Sequence, residues 1–95
     1  MNDEQLLEHA ATAAQVMFFD TKQWNPIESS EDALTLAVRL KIGINIVEGK
    51  TVCWHHKTGI VVCENFIDWN KTYDGNAATR RAIVKVAAEI GRKMR

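Results

Sequence analysis

Cys53, His55, His56 and Cys63 are the one cluster in this 95-residue sequence with the residue types for metal binding or nucleophilic catalysis. Thiolate and imidazole are the donors zinc prefers, and a thiol beside an imidazole is also the minimal pair for attack on a carbonyl. The spacing C-x-H-H-x6-C fits no common finger or ribbon, and in a strand His56 points away from the face shared by Cys53 and His55. If His56 pairs with Ile60 across a hairpin, the register sets Cys53 opposite Cys63. These two thiols with His55 then form a weak candidate set for a metal or, when oxidised, a bridge. The reading the pattern favours is plainer: both cysteines are small buried hydrophobes in a reducing compartment and the histidines are strand surface residues. No elbow, oxyanion loop or helix-borne thiol accompanies them, so no catalytic residue is assigned and no cofactor is expected. Asp74-Gly75-Asn76 lacks the glycine series and the lysine of a phosphate loop.

A second group able to do chemistry is the basic end of the chain. Arg80, Arg81, Lys85, Arg92, Lys93 and Arg95 stand against Glu89 alone in the last sixteen residues. Arg81, Lys85, Arg92 and Lys93 could hold phosphates, with Trp69 and Tyr73 just before them stacking on bases. Cations near a helix C-terminus also complement its dipole, and Arg81, Lys85 and Glu89 have the spacing of a solvated ladder. The second explanation is preferred, because the rest of the surface is acidic and weakens attraction for a polyanion.

The elements that must position these groups follow from periodicity. Residues 3–15 read as an amphipathic helix, with Leu6, Ala10, Ala13 and Met17 on one face beside Leu7, Ala11, Ala14 and Phe18. Residues 16–20 form a connector, and Trp24-Asn25-Pro26 enforces a break. Ser29 and Asp32 have capping-box spacing for a second helix over about 30–41 that stops at Gly43. Its expected buried stripe takes in Ala33, Leu34, Leu36, Ala37, Val38 and Leu40.

From Gly43 the period falls to two. Ile44 and Ile46 lead through a tight turn, Glu48-Gly49 or Gly49-Lys50, into a strand over 51–56. A three-residue loop with left-handed Gly59 then enters Ile60-Val-Val-Cys-Glu64, apolar on both faces and therefore expected to be covered on both. Phe66 to Tyr73 reads as an ordered loop. The last helix, about 76–94, starts from an Asp74-Gly-Asn76 cap and buries Ile83, Ala87, Ile90 and Met94. Trp24 and Trp54 are expected in the core. The order is α-α-β-β-β-α, a single small α+β domain with a three-stranded antiparallel meander packed with helices.

Composition narrows the function. Twelve basic and twelve acidic residues give zero formal charge, which disfavours a non-specific nucleic-acid binder. Residues 1–50 carry four basic and eight acidic groups, whereas 51–95 carry eight and four, so the two halves are −4 and +4. Opposed charge suits self-association or docking on a charged protein. The longest apolar runs are four residues, which excludes a membrane-spanning helix, and the acidic start predicts a cytoplasmic product without a leader.

Two stretches carry a family resemblance. Trp24-Asn-Pro-Ile-Glu-Ser-Ser-Glu-Asp-Ala-Leu-Thr-Leu-Ala-Val38 and Ala77-Ala-Thr-Arg-Arg-Ala-Ile-Val-Lys-Val-Ala-Ala-Glu-Ile-Gly-Arg92 resemble the "WNP, acidic spacer, DALxLAV" and "AATRRAIVxAAAEIGR" segments of small phage and prophage proteins of unassigned function. The start, Asn2 to Ala14, is also similar. Asp74-Gly75 stands where that family often has Asp-Pro, so the rigid first-turn proline is missing. The resemblance implies a phage or prophage accessory protein in the host cytoplasm that binds a host or phage macromolecule, modulating host defence or a host enzyme. It brings no catalytic residues. A host or phage protein is the expected partner, with a homo-oligomer as a further expectation. A nucleic-acid module built on the last helix is the alternative, and a small enzyme or metal protein using Cys53, His55 and Cys63 comes third. Arg80 is expected to be structural, paired with Glu31 or Asp32, while Arg81 stays exposed.

Overall fold

The computed structural model describes residues 2–15, 24–65 and 75–94. Along the chain run α1 (Asp3–Ala14), α2 (Ser30–Leu40), β1 (Ile42–Val47), β2 (Lys50–His55), β3 (Ile60–Asn65) and α3 (Gly75–Lys93). This is the predicted α-α-β-β-β-α order, with an antiparallel sheet in the order β1-β2-β3. The expected connector 16–20 and loop 66–73 lie outside the described residues, as do Asp74 and Met17. Among the described residues no helix is long and apolar enough to cross a membrane.

Local chemistry sets the helix ends. At α1 the Asn2 side chain accepts from the Gln5 N–H at 2.8 Å and the Gln5 side chain accepts from the Asn2 N–H at 3.0 Å, a reciprocal capping box. At α2 only half of the predicted box forms. Ser29 Oγ accepts from the Asp32 N–H at 3.2 Å, but Asp32 Oδ2 accepts from the Asn25 N–H at 2.9 Å. Aspartate is one methylene shorter than the usual glutamate, and its carboxylate serves the preceding turn. The predicted stop at Gly43 is also displaced. Lys41 takes the left-handed conformation, φ 59°, and its N–H bonds the Ala37 and Val38 carbonyls, so β1 begins at Ile42. Gly43 instead lies inside the strand beneath the Trp54 ring, which a Cβ there would strike.

The hairpins correct the predicted register by one residue. Glu48-Gly49 is the β1–β2 turn, and the β2–β3 loop has four residues, His56 to Gly59, not three. His55, not His56, faces Ile60. Cys53 therefore pairs with Val62 and Cys63 with Val52. Because strand side chains alternate, the one-residue shift sends Cys63 to the face opposite Cys53.

One layer of helices covers the sheet. Leu6, Ala10 and Ala14 of α1, Ala33, Leu36 and Ala37 of α2, Ile42 and Cys53 of the sheet, and Ile83, Val84, Val86 and Ala87 of α3 form a single core. α1 and α3 cross closely because Gly91 lies against the His9 carbonyl, where a Cβ would collide with backbone. Thr51, fully buried on the inner face, places Oγ1 2.8 Å from Thr79 Oγ1 of α3.

Four burial expectations are overturned. Among the described residues β3 is covered on one face only: Val61 is 63% exposed and Cys63 is exposed. In α2, Leu34 (59%) and Val38 (71%) face outward, since Ala33, Leu36 and Ala37 complete the contact with the core. Trp54 is 39% exposed on the outer face, whereas Trp24 packs partly buried against the core. In α3, Met94 is likewise exposed, beyond the last turn that reaches the core.

Candidate functional site

The cysteine–histidine group does not assemble. Cys53 is fully buried on the inner face and His55 shares that face, but Cys63 is on the other. Burial pushes the Cys53 thiol up to about 11, which disfavours its thiolate form. His55 Nδ1 lies 2.8 Å from Thr58 Oγ1 within the loop. Among the described residues no three His, Cys, Asp or Glu side chains converge as a metal site.

The cations of α3 are mostly matched by acids. Arg81 grips Asp3 of α1 through two bonds, 3.0 and 3.3 Å, and the carboxylate raises its pKa further. Lys85 Nζ is 2.6 Å from Glu64 Oε1 of β3. Arg92 bonds Glu89 at 2.7 Å, which holds that carboxyl below its usual range. The predicted ladder Arg81-Lys85-Glu89 is thus replaced, with Arg81 and Lys85 pairing to other elements and Glu89 to Arg92. Lys93 stands exposed, and Trp69 and Tyr73 lie outside the described residues. The predicted charge separation is also reduced, because Asp3 from the acidic half meets Arg81 from the basic half.

The Trp24–Val38 and Ala77–Arg92 segments hold each other. Asn25 Oδ1 accepts from the Ile27 and Glu28 N–H groups at 3.2 and 3.3 Å, closing a turn around buried Pro26. Arg80 Nε then donates to the Ile27 carbonyl at 2.8 Å and its Nη1 to Ser30 Oγ at 2.9 Å. Arg80 is joined to the start of α2 as expected, but through a carbonyl and a hydroxyl, not through Glu31 or Asp32. A guanidinium presents several donors in a fixed fork, which suits this job better than a single ion pair.

What remains unspent is apolar surface, and it falls in two places. On the outer face of the sheet Val52 and Trp54 of β2 pair with Cys63 and Val61 of β3. Val47 closes the β1 side, with Asn45 and Asn65 at the rims and Lys50 as the one charge among the described residues of this face. Trp54 lies flat across the sheet because Gly43 opposite it has no side chain. The second place is a groove where Leu34 of α2 meets Ile44 and 62%-exposed Ile46 of β1, floored by Ala33 and Ile83. The sequence reading missed both, since it assigned Trp54, Leu34 and Val38 to the core. The signal was present: a strand apolar on both faces in a chain with few helices to cover it. No protein-family model, curated protein or solved structure matches this chain.

Proposed function

We propose that this is a non-enzymatic accessory protein, of phage or prophage origin as its WNP and AATRR segments imply, that acts in the host cytoplasm by binding a protein through the outer face of its sheet. The observation that carries this reading is the row Val47, Val52, Trp54, Val61 and Cys63, which no helix covers among the described residues, an apolar centre with asparagines at its rims. Interfaces with proteins are built this way, with aromatic anchors inside a polar border. A face with Lys50 as the one charge among its described residues is poorly suited to holding phosphates, and the paired cations of α3 reduce the alternative site for nucleic acid. The fitting partner is a protein surface with aliphatic or aromatic side chains and few charges.

The test is capture on immobilised protein from nuclease-treated bacterial lysate. The wild type is expected to retain a protein that Val61→Lys combined with Trp54→Arg loses and Arg92→Glu combined with Lys93→Glu keeps. Capture that vanishes on nuclease treatment, or that follows the α3 pair and ignores the sheet pair, contradicts the proposal.

A further inference from the structure

The free edge of β1 differs from the outer face because its backbone is also unspent. In a two-residue hairpin the residues flanking the turn, here Val47 and Lys50, form a hydrogen-bonded pair, and such pairs alternate along the ladder. Asn45 and Gly43 therefore also bond β2. The N–H and C=O groups of Ile44 and Ile46 point away from it, toward an edge with no neighbouring strand among the described residues. Edges of this kind are normally blunted by charge, proline or a covering element. Asn45, Ile46 and Val47 are instead exposed and uncharged.

Beside this edge lies α2, whose Leu34 meets Ile44 and Ile46. Leu34 and Val38 are at its centre, Glu31 one turn before and Arg39 one residue after. Neither Glu31 nor Arg39 enters an ion pair among the described residues. The helix dipole favours both charges where they are, but it gives no reason for two apolar residues between them. Reversing the helix and laying it against itself brings Glu31 opposite Arg39 at both ends, with Leu34 and Val38 of both copies packed between them. The face is self-complementary.

We infer that a second copy of this chain occupies the surface, joined by antiparallel β1–β1 pairing centred on Asn45 and by α2 packed against α2. A two-fold axis perpendicular to the sheet generates the antiparallel strand pair, and the same axis reverses α2, so one operator satisfies both observations. With Asn45 at the axis, Ile44 of each copy faces Ile46 of the other, the residues whose backbone groups are free. A contact through α2 alone, about 16 Å long, falls short of the roughly 1,200 Å² that stable interfaces bury. The strand edge supplies the rest, and zero net charge leaves no long-range repulsion between copies. The six-stranded sheet keeps both outer faces open, so this assembly is independent of the partner proposed above.

The test is sedimentation or light scattering of the full chain from about 5 to 500 μM, with circular dichroism confirming the fold of each variant. The wild type is expected at twice the 10.7 kDa chain mass. Val38→Glu raises the dissociation constant about a hundredfold, and Glu31→Arg or Arg39→Glu alone about tenfold, each tenfold being 1.4 kcal/mol. Combining Glu31→Arg with Arg39→Glu restores the wild-type value, because the swapped charges still meet across the axis. Ile46→Pro abolishes the dimer and leaves the β1–β2 ladder intact, since that N–H faces the free edge. A wild type that stays monomeric throughout overturns the inference. So does a dimer broken by Val61→Lys but not by Val38→Glu, or a charge swap that fails to rescue.

Discussion

The two faces of one sheet, built from the same strands, meet opposite fates. Inward, Thr51 and Cys53 are sealed under α3, and the thiol is held neutral by its surroundings. Outward, one residue along each strand, Val61 and Trp54 stand in solvent. Hydrophobicity does not distinguish them, because Ile60-Val-Val-Cys63 is apolar throughout. The difference lies in the cover: α1 and α3 pack tightly together on the inner side, and among the described residues no helix lies on the outer one. Apolar side chains left in solvent cost solubility, and the binding role proposed above gives a reason for their presence.

This contrast can be broken by substitutions on either side of it. The largest loss is expected for Gly91→Ala. A helix-propensity gain of about 1 kcal/mol is outweighed by the collision with the His9 carbonyl, for a net cost of about 3 kcal/mol in urea unfolding. Val84→Ala, in the core, should cost about 2 kcal/mol, whereas the same change at Val61 should stay within about 0.5. Equal costs at the two valines would show that the outer face is not open.

Two neighbouring arginines sharpen the comparison at smaller scale. Arg80→Ala strips a donor from the half-buried Ile27 carbonyl and should cost about 1.5 kcal/mol. Arg81→Ala removes an exposed ion pair with Asp3 and should cost less than about 0.5. Smallest is the alkaline effect of Cys53. Its folded pKa is raised, so the unfolded chain releases the proton first. Stability is full below the unfolded value near 9 and falls as pH rises toward about 11. Cys53→Ala should flatten that decline in pH-dependent thermal melts.

Much of the fold was legible in the sequence because helix and strand periods differ and the caps are local. The element order and the Ser29 cap needed no tertiary information, and the tight turn was narrowed to Glu48-Gly49 or Gly49-Lys50, between which the pairing of Val47 with Lys50 decides. The β2–β3 register was not legible, because a three-residue and a four-residue loop both suit Lys57-Thr58-Gly59 and the choice moves Cys63 across the sheet. Nor did the apolar pattern tell which side of α2 or β3 would be left bare. Leu34 and Leu36 are chemically alike, and only the position of α3 separates them. Arg80 was identified as structural from its angular separation from Arg81, but its partners were carbonyl and hydroxyl groups that no charge pattern reveals.

Cys63 lies on the proposed docking face and away from the β1 edge, which makes its thiol a direct reporter of the central claim. Its rate of alkylation, measured in native protein alone and again after loading with the nuclease-resistant partner, should be fast in the first case and strongly slowed in the second. Cys53 should react in neither until the chain unfolds. A Cys63 that is already protected in the free protein, or that reacts equally fast with and without the partner, would contradict the account.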